Sequence, residues 1–113
     1  MSIRLLALDL DGTLIDETLR ISPRVQRALH RAIDAGVHVT LATGRPFSQT
    51  RHYAQQLGIA APLICFQGAL VQDPASEAIL FRCGVPLPLA REFVDLARAQ
   101  RWSLGVVLSL IHI

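Results

Sequence analysis

Short apolar runs alternate with amphipathic stretches along the first half of the chain. Residues 3–8 are almost continuously apolar, which is typical of a strand buried in a parallel sheet. Apolar side chains then recur at helical spacing after Ser22 and Pro23, which suit a helix N-cap and first turn. Gly36 stands where the C-terminal cap of that helix belongs. This pattern predicts a strand followed by a helix.

The alternation continues through two further strands and one further helix. Residues 37–41 and 62–66 are short apolar runs, and residues 46–57 between them have a helical pattern that ends at Gly58. Short connections between alternating strands and helices favour right-handed crossovers and a parallel sheet. We therefore predict the α/β class.

The pattern changes after Gly68. Residues 69–72 and 79–82 flank an Asp-Pro-Ala-Ser segment and predict a hairpin. A helical pattern over residues 88–100 follows, and then an apolar run from 102 to about 108 predicts a strand. These elements indicate the start of a second, α+β module whose boundary lies near Gly68.

Composition narrows the class of protein. With 113 residues, 51% of them apolar, and a mean hydropathy of +0.39, the chain has the size and apolar content of one ordinary domain. Its net charge of +2 is too small to indicate a nucleic-acid partner. All 11 basic residues are arginines, so any chemistry that needs a lysine amine lies outside this chain.

The sequence shows no pattern typical of a membrane span or a signal peptide. The apolar runs near the two ends are too short to span a bilayer, and the first lacks a small-residue cleavage site. Cys65 and Cys83 have no Cys-x-x-Cys partner and no nearby His at zinc-ligand spacing. We therefore expect two reduced, buried thiols in a cytoplasmic protein without a membrane partner.

Two carboxylates follow the first predicted strand. Residues 9–14 have the sequence Asp-Leu-Asp-Gly-Thr-Leu, and ligands of parallel α/β sheets bind at the carboxyl ends of the strands. Asp9 and Asp11 are costly to desolvate without a cation and together suit Mg²⁺. Gly12 allows a sharp turn whose amides can bind phosphate oxygens. One carboxylate can also attack phosphorus while the second transfers protons.

Two other interpretations of this segment stay open at this point. Asp-Gly is a common turn sequence after a strand. An Asp-x-Asp at a strand end also binds metal in glycosyltransferases. A second motif is needed to decide between these interpretations.

The second strand ends at Thr43-Gly44-Arg45, immediately before the second predicted helix. A helix N-terminus supplies free amides and the positive end of the helix dipole, so we expect an anion there. Thr43 can donate to a phosphoryl oxygen, the amides around Gly44 can bind it, and Arg45 can clamp an anion bidentately. In the alternative interpretation Thr43 is only an N-cap and Arg45 only a surface charge.

Together the two motifs resemble motifs one and two of the haloacid dehalogenase-like phosphohydrolases. The Gln-Gly-Ala-Leu segment at residues 67–70 resembles the start of the large cap of the Cof-type phosphatases, which usually have Asn at the position of Gln67. The resemblance covers roughly residues 2–108. It implies a Rossmann-like parallel sheet, with residues 1–68 as the N-terminal part of the core and residues 69–113 as the start of an α+β cap.

The resemblance also implies a role for each motif residue. Asp9 is the expected nucleophile and Asp11 the expected general acid and base. The Asp9 carboxylate and the Asp11 backbone carbonyl are the expected Mg²⁺ ligands. The phosphoryl group and the substrate would be bound by the remaining motif residues, Gly12, Thr43, Gly44 and Arg45.

The implied function is that of a Mg²⁺-dependent phosphatase acting on a small phosphorylated metabolite, such as a sugar phosphate, through an aspartyl-phosphate. A phosphomutase would use the same residues. From other classes, a phospho-acceptor signalling domain and a non-catalytic domain stay open as alternatives. The sequence leaves the oligomeric state open as well.

The chain departs from a complete member of that family. The lysine that steadies the aspartyl-phosphate and a later acidic Gly-Asp-type motif both follow the cap, and neither occurs in these 113 residues. We expect the chain to be the N-terminal portion of a longer enzyme and to be inactive alone. Residues 109–113 resemble translated sequencing-adapter read-through, and we assign them no function.

Overall fold

The computed structural model describes residues 2–108, which form two compact units, the first ending at Cys83 and the second beginning at Gly84. Residues 109–113, which resemble adapter read-through, lie outside the described residues. The helices and strands occur in the order β1 (Leu5–Leu8), α1 (Pro23–Asp34), β2 (His38–Leu41), α2 (Phe47–Leu57), β3 (Leu63–Cys65), β4 (Leu70–Gln72), β5 (Ile79–Arg82) and α3 (Leu87–Gln100). Within residues 2–108, no helix is long and apolar enough to cross a membrane.

The strands that precede the hairpin confirm the predicted α/β class. β1 and β2 are parallel and in register, with Leu8 opposite Leu41. β3 joins β2 through a parallel bridge between Ala42 and Ile64. Because parallel strands point the same way, the carboxyl ends of β1, β2 and β3 lie along one edge of the sheet.

β4 and β5 form the predicted antiparallel hairpin, and β4 also pairs antiparallel with β3. Asp73 stabilises the turn, because its Oδ1 accepts the N–H groups of Ala75 and Ser76 at 2.9 and 2.7 Å. The sequence pattern predicts that this hairpin belongs to the second module, whereas its hydrogen bonds to β3 place it in the first compact unit. The start of a cap near Gly68 stays a prediction for the whole protein.

The ends of the first two helices lie where the local sequence predicts them. Ser22 Oγ accepts the N–H of Val25 at 3.3 Å, and Pro23 occupies the first position of α1. Gly36, with a φ of +87°, and Gly58, with a φ of +70°, adopt the left-handed conformation just beyond α1 and α2. Glycine reaches this conformation without strain, so both positions end their helices cleanly.

Replacing Ser22 by Ala is expected to lower the free energy of unfolding by about 1 kcal/mol, because the N–H of Val25 loses its side-chain acceptor. Ser22→Asn keeps an acceptor and is the matched control, expected to stay within roughly 0.3 kcal/mol of wild type. Urea denaturation measures both values. Equal losses in the two variants would show that this cap does not stabilise α1.

The core of the first unit lies where α1 and α2 pack on the strands. Tyr53 in α2 is only 8% exposed and belongs to this core. The largest fully buried side chains are Leu10, Leu41, Thr50, Leu57, Leu63 and Cys65. Leu10, the first fully buried of the described residues, directly follows the first predicted catalytic carboxylate.

Three expectations are wrong in this structure. The strand β1 is buried on one face only, since Leu6 and Leu8 pack on the core while Leu5 is 61% exposed. Successive side chains of a strand point to opposite faces, and the described residues cover only the face with Leu6 and Leu8. Residues 102–108 form no strand, because none of the described strands pairs with them. Cys83 is exposed, because it directly follows the edge strand β5.

Candidate active site

A tight loop follows β1 and carries the two predicted catalytic carboxylates. Leu10 is fully buried, and its carbonyl accepts the N–H groups of Leu14 and Ile15, each at 3.0 Å. The residues on either side of Leu10, Asp9 and Asp11, are both exposed. Burial of one leucine therefore presents both carboxylates at the carboxyl end of the strand.

Asp9 keeps one carboxylate oxygen free of hydrogen bonds within residues 2–108. Thr13 Oγ1 donates to Asp9 Oδ2 at 3.2 Å, and Oδ1 has no donor among those residues. Gly12 has a φ of +77°, which is the left-handed turn that glycine favours, and it lies between the two carboxylates and Thr13. The Thr13 hydroxyl thus orients the Asp9 carboxylate while leaving Oδ1 available to attack an electrophile.

Asp11 forms a two-point ion pair with Arg45. Nε of Arg45 donates to Oδ2 at 2.7 Å, and Nη2 donates to Oδ1 at 2.6 Å. These hydrogen bonds, together with the guanidinium charge, hold the pKa of Asp11 below its ordinary value and raise the pKa of Arg45. The sequence predicts that Arg45 clamps a substrate anion, and in this structure the anion that it clamps is the Asp11 carboxylate.

Helix α2 holds the Arg45 side chain in place. The guanidinium carbon of Arg45 lies 5.7 Å from the centroid of the Tyr53 ring, and Nη1 of Arg45 donates to Oε1 of Gln49 at 3.4 Å. The Tyr53 hydroxyl in turn donates to the carbonyl of Leu19 at 3.2 Å. One face of α2 therefore contacts both Arg45 and the far end of the loop that carries Asp11.

Thr43 is almost fully buried at the end of β2, and its backbone is fixed on both sides. The N–H of Thr43 donates to the backbone carbonyl of Ile64 at 2.9 Å, and the Thr43 carbonyl accepts the N–H of Gln67 at 3.1 Å. Thr43 Oγ1 accepts the backbone N–H of Arg45 at 3.1 Å. The hydroxyl hydrogen has no acceptor among the described residues, so it is available to donate to an anion, as the sequence analysis predicts.

Gly44 lies directly under the side chain of Gln67. A Cβ at position 44 would come within 2.6 Å of Gln67 Nε2, which is closer than such atoms approach. Gln67 itself has a φ of +57° and sits in the short turn after β3. Glycine at position 44 therefore lets the Gln67 amide approach the backbone beside Thr43.

Three contributors to this arrangement were missed by sequence reasoning: Thr13 as the donor to Asp9, and Gln49 and Tyr53 as contacts of Arg45. A signal for the last two was present, because Gln49 and Tyr53 are four residues apart on one face of α2, and Arg45 lies four residues before Gln49, just ahead of the helix. The signal for Thr13 is weaker, since a hydroxyl four residues after a carboxylate is common in loops.

For the phosphoryl-binding role that the family resemblance implies, Thr43→Val is expected to raise KM for phosphate esters by about 10-fold or more, because a hydrogen bond to a charged partner contributes roughly 1.5–3 kcal/mol. It should also lower the free energy of unfolding by about 1 kcal/mol, since the N–H of Arg45 loses its acceptor. Thr43→Ser keeps the hydroxyl and should be much milder in both respects. Steady-state kinetics and thermal unfolding of the full-length protein measure these effects. Equal behaviour of the two variants would mean that Thr43 only packs.

A family model and the curated relatives of this chain point to the same protein family. A family model for haloacid dehalogenase-like hydrolases matches residues 6–110. The 5-amino-6-(5-phospho-D-ribitylamino)uracil phosphatase YitU of Bacillus subtilis is 33% identical over 96 residues, which cover 84% of this chain and 36% of that protein. The pyridoxal phosphate phosphatase YbhA of Escherichia coli is 31% identical over 96 residues, covering 85% and 35%. This chain thus spans about a third of the length of these relatives.

Solved structures show the same fold over most of the chain. The phosphatase BT1666 of Bacteroides thetaiotaomicron superposes with a TM-score of 0.77 and 28% identity, over 88% of this chain and 36% of that one. The sugar phosphatase BT4131 superposes with a TM-score of 0.76 and 25% identity, over 86% and 38% of the two chains.

Proposed function

This chain belongs to the haloacid dehalogenase-like hydrolases, and on that basis we propose that the protein hydrolyses phosphate monoesters of small metabolites through an aspartyl-phosphate. One observation carries the proposal. Asp9, with a free Oδ1, and Asp11 flank the buried Leu10 at the end of β1, on the sheet edge where β2 leads into Thr43. Phosphate ligands bind at such an edge of a parallel sheet.

In the first step Asp9 Oδ1 attacks phosphorus, so that an Asp9–phosphorus bond forms and the bond from phosphorus to the ester oxygen breaks. The electron pair of the broken bond goes to the leaving oxygen, which takes a proton from Asp11. Because the Arg45 hydrogen bonds lower the pKa of Asp11, its protonated form is a strong but scarcely populated acid. This step should therefore depend strongly on the leaving group.

In the second step water attacks the phosphorus of the aspartyl-phosphate. Asp11 accepts the proton of the water molecule, the Asp9–phosphorus bond breaks, and the electron pair returns to the Asp9 carboxylate. Inorganic phosphate leaves, and the proton on Asp11 equilibrates with solvent before the next turnover. The ionised Asp11 that Arg45 stabilises is the form that this step requires.

Mg²⁺ fits the residues present. The Asp9 carboxylate is exposed, with Oδ1 free, and the Asp11 backbone carbonyl accepts no hydrogen bond within residues 2–108. Those residues contain no cluster of three or more His, Cys, Asp or Glu side chains, and Mg²⁺ is commonly held by one or two carboxylates with water and substrate phosphate. When bound, the ion would neutralise negative charge on the phosphoryl oxygens.

The proposed substrate class is a small phosphorylated metabolite such as a sugar phosphate. A groove of about 560 Å³ beside Asp11, lined by the loop and the start of α1, has a volume suited to a small ligand. Residues 69–113 would begin the cap that selects the substrate. The free thiols of Cys65 and Cys83 support a reducing, cytoplasmic location.

The test uses the full-length protein with Mg²⁺ and a panel of small phosphate monoesters. We expect release of inorganic phosphate that stops on addition of EDTA. Borohydride reduces an acyl phosphate to an alcohol, so quenching during turnover should mark Asp9 in the mass spectrum. Phosphate release without a mark on Asp9 would contradict the covalent step.

The same experiment separates the alternative functions. A phosphomutase would return the phosphoryl group to another position of the sugar and release no phosphate. A phospho-acceptor domain would accumulate a stable phosphoaspartate without turnover.

A further inference from the structure

The Asp11–Arg45 ion pair is a directional contact. A guanidinium is planar and rigid, so two parallel hydrogen bonds fix both the distance and the plane of the carboxylate that accepts them. Here the bonds are 2.7 and 2.6 Å long, and they engage both oxygens of Asp11. The Asp11 side chain is 52% exposed, and among the other side chains of residues 2–108 only Arg45 donates a hydrogen bond to it.

Arg45 is itself anchored at both its backbone and its side chain. Its N–H donates to Thr43 Oγ1 at 3.1 Å, and its carbonyl accepts the N–H of Phe66 at 3.2 Å. Its guanidinium lies 5.7 Å from the centroid of the buried Tyr53 ring and donates to Gln49. The side chain is 22% exposed. A residue held at so many points is suited to orienting a neighbour rather than to following a substrate.

We propose that Arg45 is a positioning residue for the reaction: it holds the Asp11 carboxylate in the orientation that proton transfer requires, and Tyr53 holds Arg45. This inference rests on the proposed function and assigns Arg45 a role different from the substrate clamp that the sequence predicts. The two roles differ in what they do to the kinetics. A substrate clamp stabilises bound substrate and acts on KM, whereas a positioning residue acts on kcat through Asp11.

The test compares variants of the full-length protein. Arg45→Gln should lower kcat by about 10- to 100-fold and leave KM within roughly 3-fold, as small misplacements of catalytic groups do. Arg45→Lys should lose a similar factor in kcat, because an ammonium cannot form the two-point pair. In both variants the loss of kcat should be smaller for aryl phosphates, whose acidic leaving groups need no proton.

Arg51→Gln is the matched control. Arg51 lies in α2, the helix that Arg45 directly precedes, and its carboxylate partner is Glu77. Its guanidinium lies 5.9 Å from the centroid of the Phe47 ring, and it does not contact Asp11. This variant should leave kcat and KM unchanged. Thermal unfolding of each variant separates a loss of orientation from a loss of fold, and Arg45→Lys keeps the test open if Arg45→Gln fails to fold.

A double variant decides whether Arg45 acts through Asp11. In an Asp11→Asn background, Arg45→Gln should cost less than about 2-fold in kcat, because the group that it positions has gone. Equal losses of kcat in both backgrounds would overturn the inference. So would an Arg45→Gln variant whose KM is raised 10-fold at unchanged kcat, with the KM partly restored in Arg45→Lys. Either result would leave the proposed function intact. A folded wild-type protein without phosphatase activity would refute the proposed function and this inference with it.

Discussion

Asp9→Asn in the full-length protein is expected to abolish turnover while leaving the fold intact. The amide is nearly isosteric with the carboxylate, and its oxygen can still accept the hydrogen bond from Thr13 Oγ1. It is, however, a poor nucleophile and a weaker Mg²⁺ ligand. Phosphate release and circular dichroism measure the two properties separately. Retention of even a tenth of the wild-type kcat would count decisively against covalent catalysis by Asp9.

Asp16→Asn is the control for that experiment. Asp16 belongs to the same loop and is exposed, but its carboxylate accepts hydrogen bonds from Thr18 rather than from the candidate active site. Asp16 also lines the groove beside Asp11, so we expect this variant to keep wild-type kcat and any change to fall on KM. A comparable loss at Asp16 would indicate that removing any carboxylate from the loop disrupts it.

Asp11→Asn is expected to lower kcat by about 10²- to 10⁴-fold, the usual contribution of general acid–base catalysis. The structure adds a second consequence, since the amide can accept only one of the two hydrogen bonds from Arg45 and loses the charge that pairs with it. The kinetic loss should be smallest for substrates with acidic leaving groups, and a series of substituted aryl phosphates measures this dependence. The same loss across the series would contradict the role of Asp11 as an acid.

The site elements that local sequence predicts are those made by near neighbours. The apolar run that ends in Asp-Leu-Asp-Gly predicted a strand followed by a turn, and the structure has β1 followed by the loop that exposes both carboxylates. Likewise the cap at Ser22 and the left-handed glycine after α1 depend on hydrogen bonds a few residues long. Such short-range patterns predicted the α/β class and the loop that carries Asp9 and Asp11.

Contacts between distant segments could not be predicted in the same way. The sequence marks Arg45 as a residue able to hold an anion, yet its partner lies 34 positions away, and only the packing of α2 beside the first loop brings the two together. The signal for Tyr53, its spacing from Arg45, has meaning only once that partner is known.

The sequence by itself thus determined which chemical groups this protein presents at the end of β1 and the end of β2, because local periodicity and caps place them there. The tertiary structure alone decided how those groups are paired and which surfaces are covered. Leu5 is exposed because burial depends on what packs against a strand, and residues 102–108 are not a strand because backbone groups need a partner to form a ladder. Pairing and burial are properties of two segments at once, and a pattern within one segment does not contain them.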